Sequence, residues 1–509
     1  MEAQKNMPVD HVFVAMFGGL PGKPTGLAMS VLRRAEAFAQ AGVSSRILID
    51  AFSLDFDRQI HELKRRERIG HGISVRYMYH DLAGDQVCDE GIDYVSPLGR
   101  EGWAYASPEG KPNVLIGKFQ GQYRHRVTLR EDRVLFIDHL NAGTWEIREW
   151  YDWSGAVCRI ERMGASEKPG IVQYLGRDGN CYLEESRDEA TQRVLGWELY
   201  PRTERRVLCS DLVEVFRYWM QSFVLTGETK PIIISEYGVR RKALNTLEDE
   251  NNARVIYTLH NNHFAPPHRY GSAVRPDMAD LVKNLRDCRD VVVLTTEQRE
   301  DIWKQFGWMP SIHVIPHFAP AVSRLGERDP KRVVMVGRFH KIKGQLAAIR
   351  AFRRVVDAVP DAKLVFYGRG GEEGEMRRLI ASMSLDGSVS IAGFSADAEE
   401  VFLGAAMSIV ASDYEGFCLS LAESMVAGCV PVSYDIKYGP REMITNGLDG
   451  FLVEAGNEAE LADALILGLS NKTRMDSMSE KAKRIGEKLN TGRFIREWTA
   501  VLERSAGGA

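Results

Sequence analysis

The 509 residues predict an α/β protein of two doubly wound domains, the first interrupted by a β-rich insertion. Three observations carry that prediction. The chain is too long for one hydrophobic core. Apolar runs that read as buried parallel strands alternate with amphipathic helical stretches in two separate blocks. Between residues 81 and 204 that rhythm stops, and short segments of alternating polarity replace it. The composition, 44% hydrophobic and 27% charged with a net charge of −4, is that of an ordinary globular protein and argues against a dedicated nucleic-acid binder. No apolar run reaches the length of a membrane span. The first residues lack a basic stretch followed by a long apolar one, so export is not expected. The seven cysteines include no C-x-x-C, which predicts reduced thiols in a cytoplasmic protein without a structural zinc.

The elements follow in order. "HVFVAMF" (11–17) reads as a buried strand, "GGLPGKPTG" as a loop, "LAMSVLRRAEAFAQAG" as an amphipathic helix stopped by Gly42, and "SRILIDAF" as the next strand. This is a βαβ opening. The insertion follows, with "RVTLRED", "RVLFIDHL", "AVCRIERM", "IVQYLG" and "CYLEES" as antiparallel strands separated by turns such as "GRDGN". Trp145, Trp150 and Trp153 crowd one stretch and are expected to form its core. The α/β rhythm returns with "PIIISEYG", "RVIYTLHNNH" and "DVVVLTTEQREDI". The expected division is 1–80 with 205–325 as the first domain, 81–204 as the insertion and 326–485 as the second domain. A terminal helix, 486–509, is expected to pack back on the first domain.

Ligands of doubly wound domains bind at the C-terminal ends of the strands, in the crevice between domains. "VGRFHKIKG" leaves such an end with Arg338, Lys341 and Lys343. Two fixed cations there suit a departing diphosphate, although a solvated basic loop reads equally well. "ASDYEGFCLSLAES" is more specific. Glu415 precedes a helix whose first N–H groups can hold an anion or sugar hydroxyls. Glu423, eight positions on, can accept both hydroxyls of a ribose. A negative helix start stabilised by the macrodipole would explain Glu415 but not Glu423. His260, in "TLHNNH", ends a first-domain strand and faces the same crevice. Neither His260 with His263 nor "SLDFD" (53–57) reads as a metal site; the latter is a solvated turn or helix start.

Residues 332–455 resemble the donor domain of retaining glycosyltransferases of family 4, with the GT-B fold. Glu415 and Glu423 match that family's E-x7-E motif, and Arg338 and Lys343 its diphosphate-binding pair. "FGG", with Gly18 and Gly19, resembles its N-terminal glycine loop. The insertion, "LHNNH" and "TTEQREDI" are similar to the bacterial wall-teichoic-acid α-glycosyltransferases and to the transferase that sugars serine-rich adhesins. Cys418 stands where the family often has glycine and adds bulk beside the donor sugar.

The resemblance implies hexose or N-acetylhexosamine transfer with retention, from UDP-glucose or UDP-N-acetylglucosamine, without a metal or other cofactor. Attack is on the front face, and Arg338 and Lys343 stabilise the leaving diphosphate. His260 orients donor or acceptor, Glu415 holds donor hydroxyls and Glu423 the ribose. The N–H groups of Phe417, Cys418 and Leu419 touch sugar and phosphate, and Phe394 lies near the base. The implied acceptor is a polyol-phosphate polymer or a glycoprotein. A homo-oligomer, a trimer by preference, is implied, in the cytoplasm and open to peripheral association with the inner membrane face. Arg124, Arg126 and Arg130 share a strand face that can grip a polyanionic acceptor; a solvated face is the competing reading. Rival readings are a GT-B epimerase or phosphorylase and a non-catalytic, transferase-like partner subunit.

Overall fold

The structure, a computed structural model, describes the chain except residues 1–8, 17–25, 67, 71, 86–93, 100, 142, 203–204, 237, 239, 396 and 508–509. Gly18 and Gly19 therefore lie outside the described residues. Two compact units are present, Met1–Val255 and Ile256–Ala509.

In the first unit, strand His11–Met16 pairs in parallel with Ser44–Ile49 on one side and Ile232–Glu236 on the other; Ser44–Ile49 pairs with Ile73–Tyr77. Burial of nearly every residue of His11–Met16 explains its unbroken apolar run. A ten-stranded antiparallel sheet follows, from Trp103–Ala106 to Val207–Cys209, in which each strand pairs with its neighbour in the chain. All five segments expected as strands are strands of this sheet. Its apolar cluster is Val127, Val134, Ile137 and Tyr151. The tryptophans are not that core. Trp145, Trp150 and Trp153 are only half-buried and act as platforms for arginines. The Arg133 and Arg58 guanidinium carbons lie 3.8 and 4.0 Å from the Trp153 ring centre, and Arg126 lies 5.2 Å from Trp145. An indole offers a π-face to a cation as readily as it fills a core. "SLDFD" opens helix Phe56–Arg65, as one of its two readings expected, but it is not solvated throughout. Phe56 stacks on Tyr77 with ring centres 3.9 Å apart, and this draws its neighbour Asp57 into a buried position, paired with Arg177 at 2.9 Å.

In the second unit, Asp290–Val293 pairs in parallel with the strand ending at Leu259 and with Ile312–Val314. A separate six-stranded parallel sheet has the spatial order Val389–Gly393, Lys363–Tyr367, Asp329–Val336, Ala405–Val410, Val430–Tyr434, Phe451–Val453. Strand order reverses between Asp329–Val336 and Ala405–Val410, the topological switch point of a doubly wound sheet. Helix Thr491–Gly507 buries Phe494, Trp498, Val501 and Leu502, and its Ser505 hydroxyl donates to Asp290 at 2.9 Å. No helix among the described residues is long and apolar enough to cross a membrane.

Candidate functional site

The two strands at the switch point each end in a candidate loop. After Asp329–Val336 the chain passes Arg338, makes one tight turn at Lys341–Lys343 and enters helix Gln345–Ala358. Gly344 permits this course. Its φ is +73°, and a side-chain carbon there would meet the Ala411 carbonyl oxygen at 2.0 Å. After Ala405–Val410 the loop carries Ser412 and Glu415 into helix Leu419–Val426.

These loops bring Lys343 and Glu415 together. The Lys343 ammonium donates to Glu415 Oε1 at 2.5 Å, and the Ser412 hydroxyl donates to the same oxygen at 2.7 Å. Burial by itself pushes the Lys343 ammonium down; attraction to Glu415 outweighs it, and the net shift is upward. Lys343 is therefore a fixed cation. Arg338 is exposed beside it in sequence and forms no ion pair among the described residues.

Gly416 holds this loop against the end of strand Arg254–Leu259. A side-chain carbon at Gly416 would lie 2.0 Å from the His260 carbonyl oxygen and 2.6 Å from the Asn261 Cα. The His260 ring stacks on His317 at 5.4 Å, and His317 meets Phe417 edge-on at 5.4 Å. The Thr258 hydroxyl lies 3.0 Å from His260 Nε2. So His260, Glu415 and Phe417 share one locality. Phe417 and Cys418 are buried, Leu419 is half-buried, and Cys418 takes φ +73° at the helix start. Burial first, and then Glu415, push its thiol up to about 12, so Cys418 packs rather than reacts. Glu423 lies half-buried inside the helix. Phe394 is partly exposed, with the Arg369 guanidinium 5.4 Å from its ring centre. Among the described residues no group of three His, Cys, Asp or Glu side chains is placed to hold a metal.

Sequence reasoning missed the residues behind this site. Glu415 pairs through its backbone with the loop at Lys437 and Tyr438: its N–H donates to the Lys437 carbonyl at 3.0 Å, and its carbonyl accepts from Tyr438 at 2.8 Å. That loop is anchored by Asp301, which accepts from the Lys437 ammonium and from the Tyr438 hydroxyl. Buried Asn262 donates to the Lys437 carbonyl at 3.3 Å and to the His268 carbonyl at 3.0 Å. His263 is fully buried and stacks on Tyr438; burial pushes its ring down to about 4, so it is neutral. "KYG" after a strand end was the available signal for Lys437. Asp301 lies in "TTEQREDI", a stretch that carried the family resemblance, but nothing on its own helix marks a partner 136 positions away.

Arg124, Arg126 and Arg130, the residues expected at the acceptor, lie on strand Gln122–Arg130 of the first unit. Arg124 donates to Gln122 at 2.8 Å, Arg126 is 3.6 Å from Asp138, and Arg130 pairs with Asp55.

Residues 322–485 match the family model of glycosyl transferases group 1. The poly(glycerol-phosphate) alpha-glucosyltransferase of Bacillus subtilis is 23% identical over 98% of this chain and 76% of its own length. A crystal structure of Staphylococcus aureus TarM, a point mutant with fondaparinux, α-GlcNAc-glycerol and UDP, superposes with a TM-score of 0.84 at 19% identity, covering 97% of this chain and 100% of that one. The pneumococcal O-GlcNAc transferase GtfA with UDP and GlcNAc superposes with a TM-score of 0.78 at 17% identity, covering 97% and 99%. The chain is a glycosyltransferase of the GT-B fold, with its glycosyl transferases group 1 region at 322–485, and it resembles the bacterial polyol-phosphate α-glycosyltransferases.

Proposed function

We propose that this enzyme transfers a hexose or N-acetylhexosamine from a UDP-sugar, with retention, to a polyol-phosphate polymer of the teichoic-acid type. The observation that carries this reading is the Lys343–Glu415 pair at the switch point, read with the 98% span of the Bacillus relative. The leaving group is a diphosphate whose charge grows as the glycosidic bond breaks. Lys343 and Arg338 meet that charge with preorganised donors. An ammonium has three N–H donors, so Lys343 can keep Glu415 while it reaches a phosphate oxygen. Glu415 accepts from sugar hydroxyls and Glu423 from the ribose. The N–H groups of Phe417, Cys418 and Leu419 face sugar and phosphate, Phe394 serves the base, and Gly18 and Gly19 complete the donor side. His260 orients the reacting sugar. Arg124, Arg126 and Arg130 contact the polyanionic acceptor, which exchanges for Asp138 and Asp55. The enzyme works in the cytoplasm, at or near the inner membrane face, as a homo-oligomer, and needs no metal.

Labelled UDP-glucose and UDP-N-acetylglucosamine, offered with poly(glycerol phosphate), poly(ribitol phosphate) and a Ser/Thr-rich peptide, test the reading. Label is expected in a polymer. Label confined to the peptide supports the second reading, a protein O-glycosyltransferase, which the likeness to GtfA favours. No transfer to any of them, with UDP bound, contradicts both.

A further inference from the structure

The first unit contains a cavity lined by none of the residues given a role in donor binding or transfer above. Three stretches line it: the loop and helix start Phe52–Asp57, the segment Tyr77–His80, and the turns of the antiparallel sheet around Ala156 and Arg177. Its volume is about 40 Å³, room for about three waters or one short polyol fragment. Phe52, Phe56, Tyr77 and Tyr182 supply aromatic walls.

Two buried polar atoms in its lining lack partners. Asp57 is 7% exposed. Its Oδ2 accepts from Arg177 at 2.9 Å, but its Oδ1 is buried with no hydrogen-bond partner. His80 Nε2 lies 3.6 Å from Asp57 Oδ2, and His80 Nδ1 is likewise buried and unpartnered. Burial holds the His80 ring below its ordinary value, against Asp57, which favours the neutral ring. The carboxylate beside Nε2 favours the Nε2–H tautomer, which leaves Nδ1 an acceptor. Buried acceptors without donors are costly. Two of them in one small cavity call for two donors.

We propose that this cavity binds a neutral diol, one hydroxyl donating to Asp57 Oδ1 and the other to His80 Nδ1, with the carbon backbone against the aromatic walls. The surrounding charges count against an ionic ligand. Asp57, Asp85 and Asp152 in the lining repel an anion. Arg177 already occupies Asp57, so an ammonium would meet a like charge. Assigning the diol to a polyol unit of the acceptor rests on the transfer proposed above; the need for two donors does not.

Saturation-transfer NMR on the full chain, with ribitol and glycerol as probes, tests the site. Asp57→Asn removes one acceptor's charge and geometry, and Ala156→Phe fills the cavity without touching the ion pair. Ribitol is expected to bind saturably, and each variant that keeps the parent's circular dichroism and UDP affinity is expected to weaken it at least tenfold. Absent ribitol and glycerol binding, or binding unchanged in both variants, overturns the site. Displacement of ribitol by tetramethylammonium also overturns it, in favour of a cation site. UDP affinity, measured in parallel, separates the two claims: loss of ribitol binding with UDP bound counts against the cavity alone, and no UDP binding counts against the transferase reading alone. Given ribitol binding, competition by poly(ribitol phosphate) with a raised KM for that polymer in Ala156→Phe identifies an acceptor unit, and an unchanged KM identifies a free polyol; both keep the diol site.

Discussion

At Lys343 two effects oppose each other, and their balance decides what the residue can do. Burial disfavours the ammonium, Glu415 at 2.5 Å favours it, and the net shift is upward. Lys343 therefore stays charged through neutral and mildly alkaline pH, and it acts as a cation rather than a base. Replacing Lys343 or Arg338 with Ala is expected to lower turnover about a hundredfold or more, the scale of one lost preorganised donor; steady-state rates with the variants' fold verified provide the check. If these cations take the charge a metal would otherwise meet, as proposed, activity survives EDTA, and a strict requirement restored by Mg²⁺ or Mn²⁺ would count against the roles given to them. His263 gives a pH prediction of known sign. Its folded value near 4 lies below the unfolded value of about 6.5. The unfolded chain therefore binds an extra proton between these values, and stability falls as pH drops through that window, by about 3 kcal/mol in all. Thermal unfolding at pH 6.5 and 4.5 should show a smaller loss in His263→Gln than in the parent. The positions of Arg338, Lys343 and Glu415 were legible because each lies in a loop that leaves a strand end, and Glu423 because it follows Glu415 into the next helix. His263 as a neutral core ring was not, because the Tyr438 ring it stacks on lies far along the chain.

Elements set the precision of the site. Loop 411–418 is held from three sides: Gly344 packs on Ala411, Gly416 on His260, and Glu415 pairs through its backbone with 437–438. Asp301 anchors the last of these from helix Thr296–Phe306. Asp301→Asn is expected to lower kcat at least tenfold while UDP affinity changes less than threefold, because the loop that aims Glu415 loosens while Arg338 and Lys343, the cations proposed to hold the phosphates, remain. An equal loss in UDP affinity would mean the site collapses as a whole. Gly416→Ala forces a carbon onto the His260 carbonyl and is expected to cost about 1–3 kcal/mol as overpacking, read as a lower Tm together with lost turnover. Strand and helix positions were readable from periodicity, since both faces of each parallel strand are buried. The glycines read only as turn signals, because what each approaches is fixed by a different element. The Trp145–Trp153 stretch misled for a related reason: a cluster of indoles looks the same in sequence whether it meets aliphatic side chains or arginines.

The whole molecule joins a doubly wound donor region to an antiparallel sheet that the first α/β block does not require. A ten-stranded sheet in one layer leaves two edges, Trp103–Ala106 and Val207–Cys209, and apolar side chains such as Leu195 and Leu208 remain more than half exposed. Such edges suit pairing between copies, and light scattering on the purified protein is expected to report an oligomer, a trimer by preference. Several copies would present several basic rows to one polymer and hold it by avidity. Neutralising Arg124 and Arg126 together should then raise KM for long polyol-phosphate chains and leave donor hydrolysis unchanged. The central claim is transfer from a UDP-sugar with retention of configuration. Its most direct test is the anomeric configuration of the first product, read by NMR after reaction of an α-linked UDP-sugar with a short polyol-phosphate acceptor. An α-linked product is the predicted result; a β-linked product would contradict the account.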